Sequence, residues 1–365
     1  MIYLCAAAAL TLASCSNDET VEVAQQKGIS FRAVTGLNTR ASEVTTANLS
    51  ALKVTAFWDK NNNKYDGFDT EVDYVKDGGV FNSAVSKFWP KDKNEVLSFT
   101  AFSDNWTGKK TITDKNTISV AGVKIVGTVA DQKDMVYVTG ATGTKVANET
   151  AGVPLVLGHA LSQIQISAKS DNTVYTYQVK GIRISNVDGE ADFNVVNGTW
   201  SNNAANDQIY EVKYATPVTL NGTAQSIMEQ KLDNGTNYSD NLMLIPQGAT
   251  TAWNVENDKT NTNKGTYISV LLRITKGADN VFPAEGTDTY GWAAVPASFT
   301  WEKGNKYVYT LDFTNGAGRV DPVDPGTDVD PGNKDPDKGD KILGDPIKFT
   351  VTVSPWNPKD NDINM

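Results

Sequence analysis

The sequence predicts an all-β protein: two β-sandwiches, a flexible Asp/Pro-rich tether and a C-terminal strand. Three observations predict it. Apolar and polar residues alternate in short runs, the period of a strand with one buried face. Asp188-Gly189, Asn197-Gly198, Asn221-Gly222 and Asn234-Gly235 punctuate the chain, and such pairs favour tight turns. No stretch carries a capped 3.6-residue period, so helix is minor. At 365 residues the chain is long enough for two ordinary domains.

The chain opens with an apolar run, residues 2–12, leading into Leu12-Ala13-Ser14-Cys15. The run is too short to span a bilayer and ends in the small residues of a cleavage site. Leu-Ala-Ser-Cys resembles the bacterial lipoprotein box, whose cysteine is lipidated and becomes residue one. Residues 1–15 are therefore the expected signal peptide, and Cys15 the expected lipidation site. Ser16-Asn17-Asp18-Glu19 resembles the acidic surface-export signal of Bacteroidetes lipoproteins. No Lys or Arg precedes the apolar run, which predicts a start upstream of Met1.

Residues 16–40 read as a propeptide. Within it, 29–34 alternates as a strand, with Ile29, Phe31 and Ala33 on one face. A Gly/Asn/Thr/Ser-rich loop at 35–42 follows. It carries Arg40, where a trypsin-like protease could reach the backbone. The first sandwich is expected over 41–150, from runs at 52–58, 80–81, 88–90, 96–102 and 135–139. The second is expected over 151–319. Its runs are 155–157, 161–166, 179–184, 191–196 with Trp200, 242–245, 267–274 and 307–313. The boundary falls in the stretch 140–152.

From 320 to 341 the composition changes. Asp-Pro recurs at Asp321, Asp324, Asp330 and Asp335, among Gly and Lys. Such a segment is expected to stay solvated and unfolded, and stretched out it would span roughly 60–70 Å. Beyond it, in the tail 342–365, lies the cleanest alternation in the chain. Ile347, Phe349, Val351 and Val353 share one face; Lys348, Thr350, Thr352 and Ser354 share the other. Ile347-x-Phe349 nearly copies Ile29-x-Phe31, so a single sheet vacancy could take either strand.

Little in the sequence carries chemistry. The only cysteines are Cys5 and Cys15, and the only histidine is His159. The folded part thus has no disulfide, no cysteine metal site and no histidine cluster. Residues 59–70 begin like a calcium loop, but Lys64 stands where Gly is needed and Thr70 where Glu is needed. Phosphate-loop, dinucleotide, zinc-protease and nucleophile-elbow patterns are absent, and no spacing singles out an acid/base pair of carboxylates. His159, beside a strand, reads as a hydrogen-bonded structural residue. No catalytic residue, metal or cofactor is expected. A net charge of −10 argues against nucleic acid. Trp106 and Trp253 sit in loop-like contexts and leave a sugar platform open.

Taken in order, these pieces resemble the fimbrillins, the pilin family of the Bacteroidales. The resemblance rests on Cys15, then Ile29-x-Phe31 followed by Thr39-Arg40-Ala41. Phe88-Trp89-Pro90 comes next, leading to Leu97-Ser98-Phe99-x-Ala101, and then 159–164, His-Ala-Leu-Ser-Gln-Ile. The last pieces are 242–247, Leu-Met-Leu-Ile-Pro-Gln, then Trp301-x-x-Gly304-Asn305-x-Tyr307-Val308-Tyr309, and the tail through Trp356. It implies two transthyretin-like β-sandwiches and export as an outer-membrane lipoprotein. It also implies an arginine-specific protease that cuts after an arginine matched by Arg40, leaving Ala41 first. Arg32 and Arg319 are the alternatives. The cut removes the strand of Ile29, Phe31 and Ala33, and C-terminal strands of another subunit fill the groove.

On this reading Ile347, Phe349, Val351, Val353 and Trp356 form the donor strand. Burying the four alternating side chains would yield on the order of 6–12 kcal/mol before association costs. The expected partners are other pilin subunits, the protease, the outer membrane through the lipid, and a host or bacterial adhesion ligand. The expected place is the cell surface and then the extracellular fimbria. A monomeric surface lipoprotein that binds glycan or host protein through its loops is the main rival. A glycoside hydrolase would need two carboxylates about 5–10 Å apart in a cleft.

Overall fold

The computed structural model describes residues 27–34, 49–204, 206–231, 237–239 and 241–356. They are almost all β. The helical elements among them are one four-residue α-helix, Lys145–Asn148, and one 3-10 turn, Val129–Asp131.

The first sheet has eight strands. Their spatial order is Gly158–His159, Val136–Gly143, Leu97–Ser103, Ala51–Trp58, Val72–Asp77, Val80–Ser83, Phe31–Val34 and Val153–Val156. The first and last of these strands are separated in the chain by Leu157 alone. The sheet therefore curls round until its two ends meet. Alternation explains its middle: Leu52, Val54 and Ala56 face inward and pack with Leu97, Phe99 and Ala101. Leu97–Ser103 is buried along its whole length because Phe102 faces a second cluster on the other side.

Two further sheets face each other over a second core. One runs Gln225–Ser226, Ser162–Lys169, Asn305–Asp312, Lys348–Pro355, with Leu242–Leu244 also on Ser162–Lys169. The other runs Gln208–Thr219, Thr176–Val187, Tyr267–Lys276, Gly291–Pro296, Arg319–Val320. Ile164 and Ile166 from one sheet and Ile182, Ile184, Val270 and Leu272 from the other share one buried cluster, which makes this half a sandwich.

A four-stranded sheet joins the halves: Thr199–Ala204, Glu190–Asn194, Thr117–Lys124, Lys109–Asp114. Two of its strands come from each side of the expected boundary at 150/151. Val153–Val156 and Gly158–His159, also past that point, belong to the first sheet. The chain thus crosses between the halves more than once. A third apolar cluster fills the seam, with Phe57, Phe102, Trp106, Phe193, Met243 and Trp356.

The segment 320–341 departs from expectation: it is folded, not a solvated leash. Val320 and Val329 are buried, and they belong to the core of the sandwich. Backbone bonds pin the segment, from Val320 N–H to Asp340 O (2.9 Å), Gly339 N–H to Val320 O (3.0 Å) and Ile342 N–H to Gly318 O (3.1 Å). The aspartates that composition counts as solvating charges are turn anchors. Asp321, 1% exposed, accepts from Ser269 Oγ (2.6 Å) and from the amides of Val323 (2.9 Å) and Asp324 (3.0 Å). Asp335 accepts from the amides of Ala284 (2.8 Å) and Asp330 (3.0 Å). Aspartate bonding to nearby backbone is the mechanism of Asx turns, and proline lowers the entropy lost on ordering them.

Hydrogen exchange tests this directly. The amides of Val320, Asp321, Gly339 and Ile342 should exchange as slowly as those of the neighbouring sheet. Asp321→Ala leaves two amides and a hydroxyl without their buried acceptor, at about 1–3 kcal/mol each in the worst case. It should speed exchange across 317–345 while sparing Ala51–Trp58. Fast exchange of 320–341 in the unsubstituted protein would restore the solvated tether.

Candidate functional site: a filled strand slot and a seated tail

The strand Phe31–Val34 sits in a slot with partners on both edges. It runs parallel to Val153–Val156, with Phe31 opposite Val153 and Ala33 opposite Leu155. On its other edge it is antiparallel to Val80–Ser83, with Phe31 opposite Phe81. Just before it, the Ile29 amide donates to Lys87 O at 2.6 Å, and the Val153 amide donates to Ser30 O at 2.8 Å. Ile29 and Phe31 are buried, and Ala33 is half-buried against the same core. The Phe31 ring meets Tyr74 at 4.7 Å and Phe99 at 5.0 Å, both edge to face. Gly152 has φ +74°, and a Cβ there would lie 3.3 Å from Ser30 O, so the backbone approaches closely where the slot begins.

The sequence named Ile29, Phe31 and Ala33 for this strand, and the structure brings all three together. It did not name the wall. Tyr74 lies on Val72–Asp77, where two aspartates, a lysine and an exposed Val75 hide the strand pattern. Phe99 and Phe81 were legible only as members of strands, not as neighbours of Phe31.

The tail strand is Lys348–Pro355, and it is not loose. It pairs antiparallel along its whole length with Asn305–Asp312, setting Phe349 opposite Leu311, Val351 opposite Tyr309 and Val353 opposite Tyr307. Its middle is poorly covered: Phe349 is half-buried, Val351 is 42% exposed and Val353 53%. Its ends are not. Ile347 is buried in the sandwich core. Trp356 is buried in the seam between the halves, its ring stacked 4.2 Å from the His159 ring at an interplanar angle of 6°. The Trp356 amide donates to Gly304 O at 2.7 Å.

His159 is held for this contact. Its Nδ1 lies 2.6 Å from Asp134 Oδ2, and the Asp134 side chain is fully buried. The structural role expected for His159 is thus specific: it is the seat of Trp356, the last described residue of the tail. Sequence offered no signal for that pairing, because 197 positions separate the two residues in the chain.

Cys15, Arg40 and Ala41 lie outside the described residues. The two alternative cleavage arginines lie inside them. The Arg32 side chain is exposed, yet its backbone sits within the slotted strand, opposite Pro154. Arg319 is on a strand, and its guanidinium donates to Gly339 O and Glu256 Oε1, each at 2.9 Å.

The residual chemistry resolves into packing. Asp59, first residue of the rejected calcium loop, accepts from Lys115 Nζ and Ser98 Oγ, each at 2.7 Å, and the Lys115 bond holds its pKa below the usual carboxylate value. Trp106 and Trp253 are buried, with indole N–H groups donating to Val136 O (2.9 Å) and Asp258 O (2.7 Å). Neither presents a free face for a sugar, so the loop-lectin rival loses its two candidates.

Among solved structures, the chain resembles a candidate cell adhesion protein of Bacteroides uniformis at 16% identity, covering 90% of this chain and 99% of that one, with a TM-score of 0.45. A similar protein of Bacteroides ovatus gives 14% identity, 92% and 99% coverage and a TM-score of 0.48. The fimbrial anchor protein Mfa2 of Porphyromonas gingivalis gives 12%, 78% and 90%, and 0.33. No curated protein matches the chain. A family model described as fimbrillin-like matches residues 39–356, most of the chain. With its order of motifs and its nearly all-β halves, the chain belongs to the fimbrillin-like family.

Proposed function

We propose that this protein is a non-catalytic subunit of a cell-surface fimbria, assembled when a protease removes its first strand and another subunit's strand takes the slot. The observation that carries this reading is the seating of Phe31–Val34. It is the strand that bridges Val80–Ser83 to Val153–Val156 in the first sheet, and it lies N-terminal to Arg40. A cut after Arg40 leaves that strand held by non-covalent contacts alone.

Its departure has a defined cost. Two buried apolar side chains, Ile29 and Phe31, leave a groove worth about 3–6 kcal/mol of lost burial. Two strand edges lose their partners as well. An added strand repairs both losses at once, which is how β-augmentation obtains affinity from the backbone and selectivity from alternate side chains. The slot selects for a large apolar residue at the Phe31 position, between Tyr74 and Phe99. Export as a lipoprotein through Cys15 would bring the precursor to the outer membrane before processing, and adhesion is the task such a fimbria serves.

Processing is checked by N-terminal sequencing of assembled material, which should begin at Ala41. Arg40→Ala should leave the precursor uncut and unassembled; assembled chains that still begin before Ile29 would overturn the reading. Cys15→Ala should abolish lipid labelling and surface display. Phe31→Ala separates precursor from product. It should destabilise the uncut protein by about 3–5 kcal/mol, seen as a lower melting temperature. The processed protein lacks residue 31 and should melt and assemble unchanged.

A further inference from the structure

We infer that this chain ends a row of subunits: its slot accepts a neighbour's strand, while its own tail remains in its own sandwich. The inference rests on the strand-exchange reading above and adds a direction to it. Its partner is a subunit whose free terminal strand alternates apolar and polar residues and offers an aromatic ring to Tyr74 and Phe99.

A donor strand must be able to leave, and four separate features hold this one. The ladder to Asn305–Asp312 spans all eight residues. Ile347 packs so closely over Gly318 that a Cβ there would meet its side chain at 2.8 Å. Trp356 closes the seam on His159, which Asp134 fixes in place. The segment 320–346 that would have to lengthen is itself bonded down, through Asp321 and Asp335 and through backbone pairs at Val320, Gly339 and Ile342. Withdrawing the tail would take Ile347 from the sandwich core, Trp356 from the seam and an edge strand from its sheet together.

The first strand is held differently. Its apolar contacts lie within one slot and one core. It reads as a plug, whereas the tail reads as part of the wall. One side of the molecule is thus built to open and the other to stay shut.

The test uses the full chain, processed with an arginine-specific protease and examined on unboiled gels and by size exclusion. The processed protein alone should stay monomeric. A fluorescent synthetic peptide of the sequence 347–356, a ready-made alternating strand, should bind it one to one and bind the unprocessed protein at least a hundredfold more weakly. Tail amides 349–353 should keep their hydrogen-exchange protection in the peptide-bound protein. Ladders formed by the processed protein alone, with loss of protection at 349–353, would overturn the inference and leave strand exchange standing. A processed protein that neither forms ladders nor binds the peptide would overturn strand exchange itself, and this inference with it.

Discussion

The first half of the molecule depends on keeping a curled sheet whole. The eight-stranded sheet brings its two outer strands together at Leu157, and seven ladders hold it in that curve. Phe31–Val34 is the strand that bridges Val80–Ser83 to Val153–Val156. Its partners on the two edges run in opposite senses, parallel on one side and antiparallel on the other, so no simple slide of a neighbouring strand can replace it. Remove it and the sheet parts at one place, with Phe81, Tyr74, Phe99 and Val153 left facing the gap. The strand that holds the curve at this point is the first among the described residues. On the strand-exchange reading proposed above, it is also the point at which the sheet would be opened.

The second half solves a different problem, how to hold a Pro- and Asp-rich segment still. Arg183 is central to the answer. Its guanidinium stacks 3.8 Å over the Trp292 ring, donates to Asp324 Oδ2 at 3.0 Å, and pairs with Glu211. Beside it, burial pushes the Asp321 carboxyl above its usual pKa. A raised carboxylate pKa means that folding favours the protonated form. Asp321 therefore contributes more at acidic pH, and that contribution is lost as pH rises from the unfolded value through the folded one. Its hydrogen bonds from Ser269 and two amides limit the loss without cancelling it.

Much of this was legible in the residues. Alternation and short apolar runs located Ala51–Trp58, Leu97–Ser103, Tyr267–Lys276, Asn305–Asp312 and the tail strand within a few positions. What escaped had physical reasons. Lys109–Asp114 reads Lys-Lys-Thr-Ile-Thr-Asp, with one face exposed and the other only half-buried and carrying Ile112 alone as a large apolar residue, so it shows no apolar stripe. Gln208–Thr219 alternates through Tyr210, Val212 and Tyr214, but Pro217 looks like a breaker. It is tolerated because this strand is at the edge of its sheet. The order in 320–341 escaped because composition cannot tell an aspartate that faces water from one that accepts two backbone amides. Of the candidate site, the strand residues were readable and their partners were not, since partnership across 25 to 197 positions is a property of the fold.

The difference between a plug and a wall can be put in terms of burial. Taken from water, the tail's four alternating side chains would gain on the order of 6–12 kcal/mol in a groove. They do not start from water. Ile347 and Trp356 are already buried, so moving them forfeits as much as it gains, and Phe349 is half-buried. Phe349, Val351 and Val353, each only partly covered, have burial left to win, roughly 3–4 kcal/mol together. Loss of translational and rotational freedom on association costs at least about 4 kcal/mol, before the ordered segment 320–346 is peeled away. A second strand edge in the groove adds hydrogen bonds, but their net worth is about 1 kcal/mol each, and the ladder with Asn305–Asp312 is surrendered in exchange. An alternating strand is therefore not enough to make a donor. What decides is how much of its apolar face the subunit has already used, and here the ends of the tail are spent.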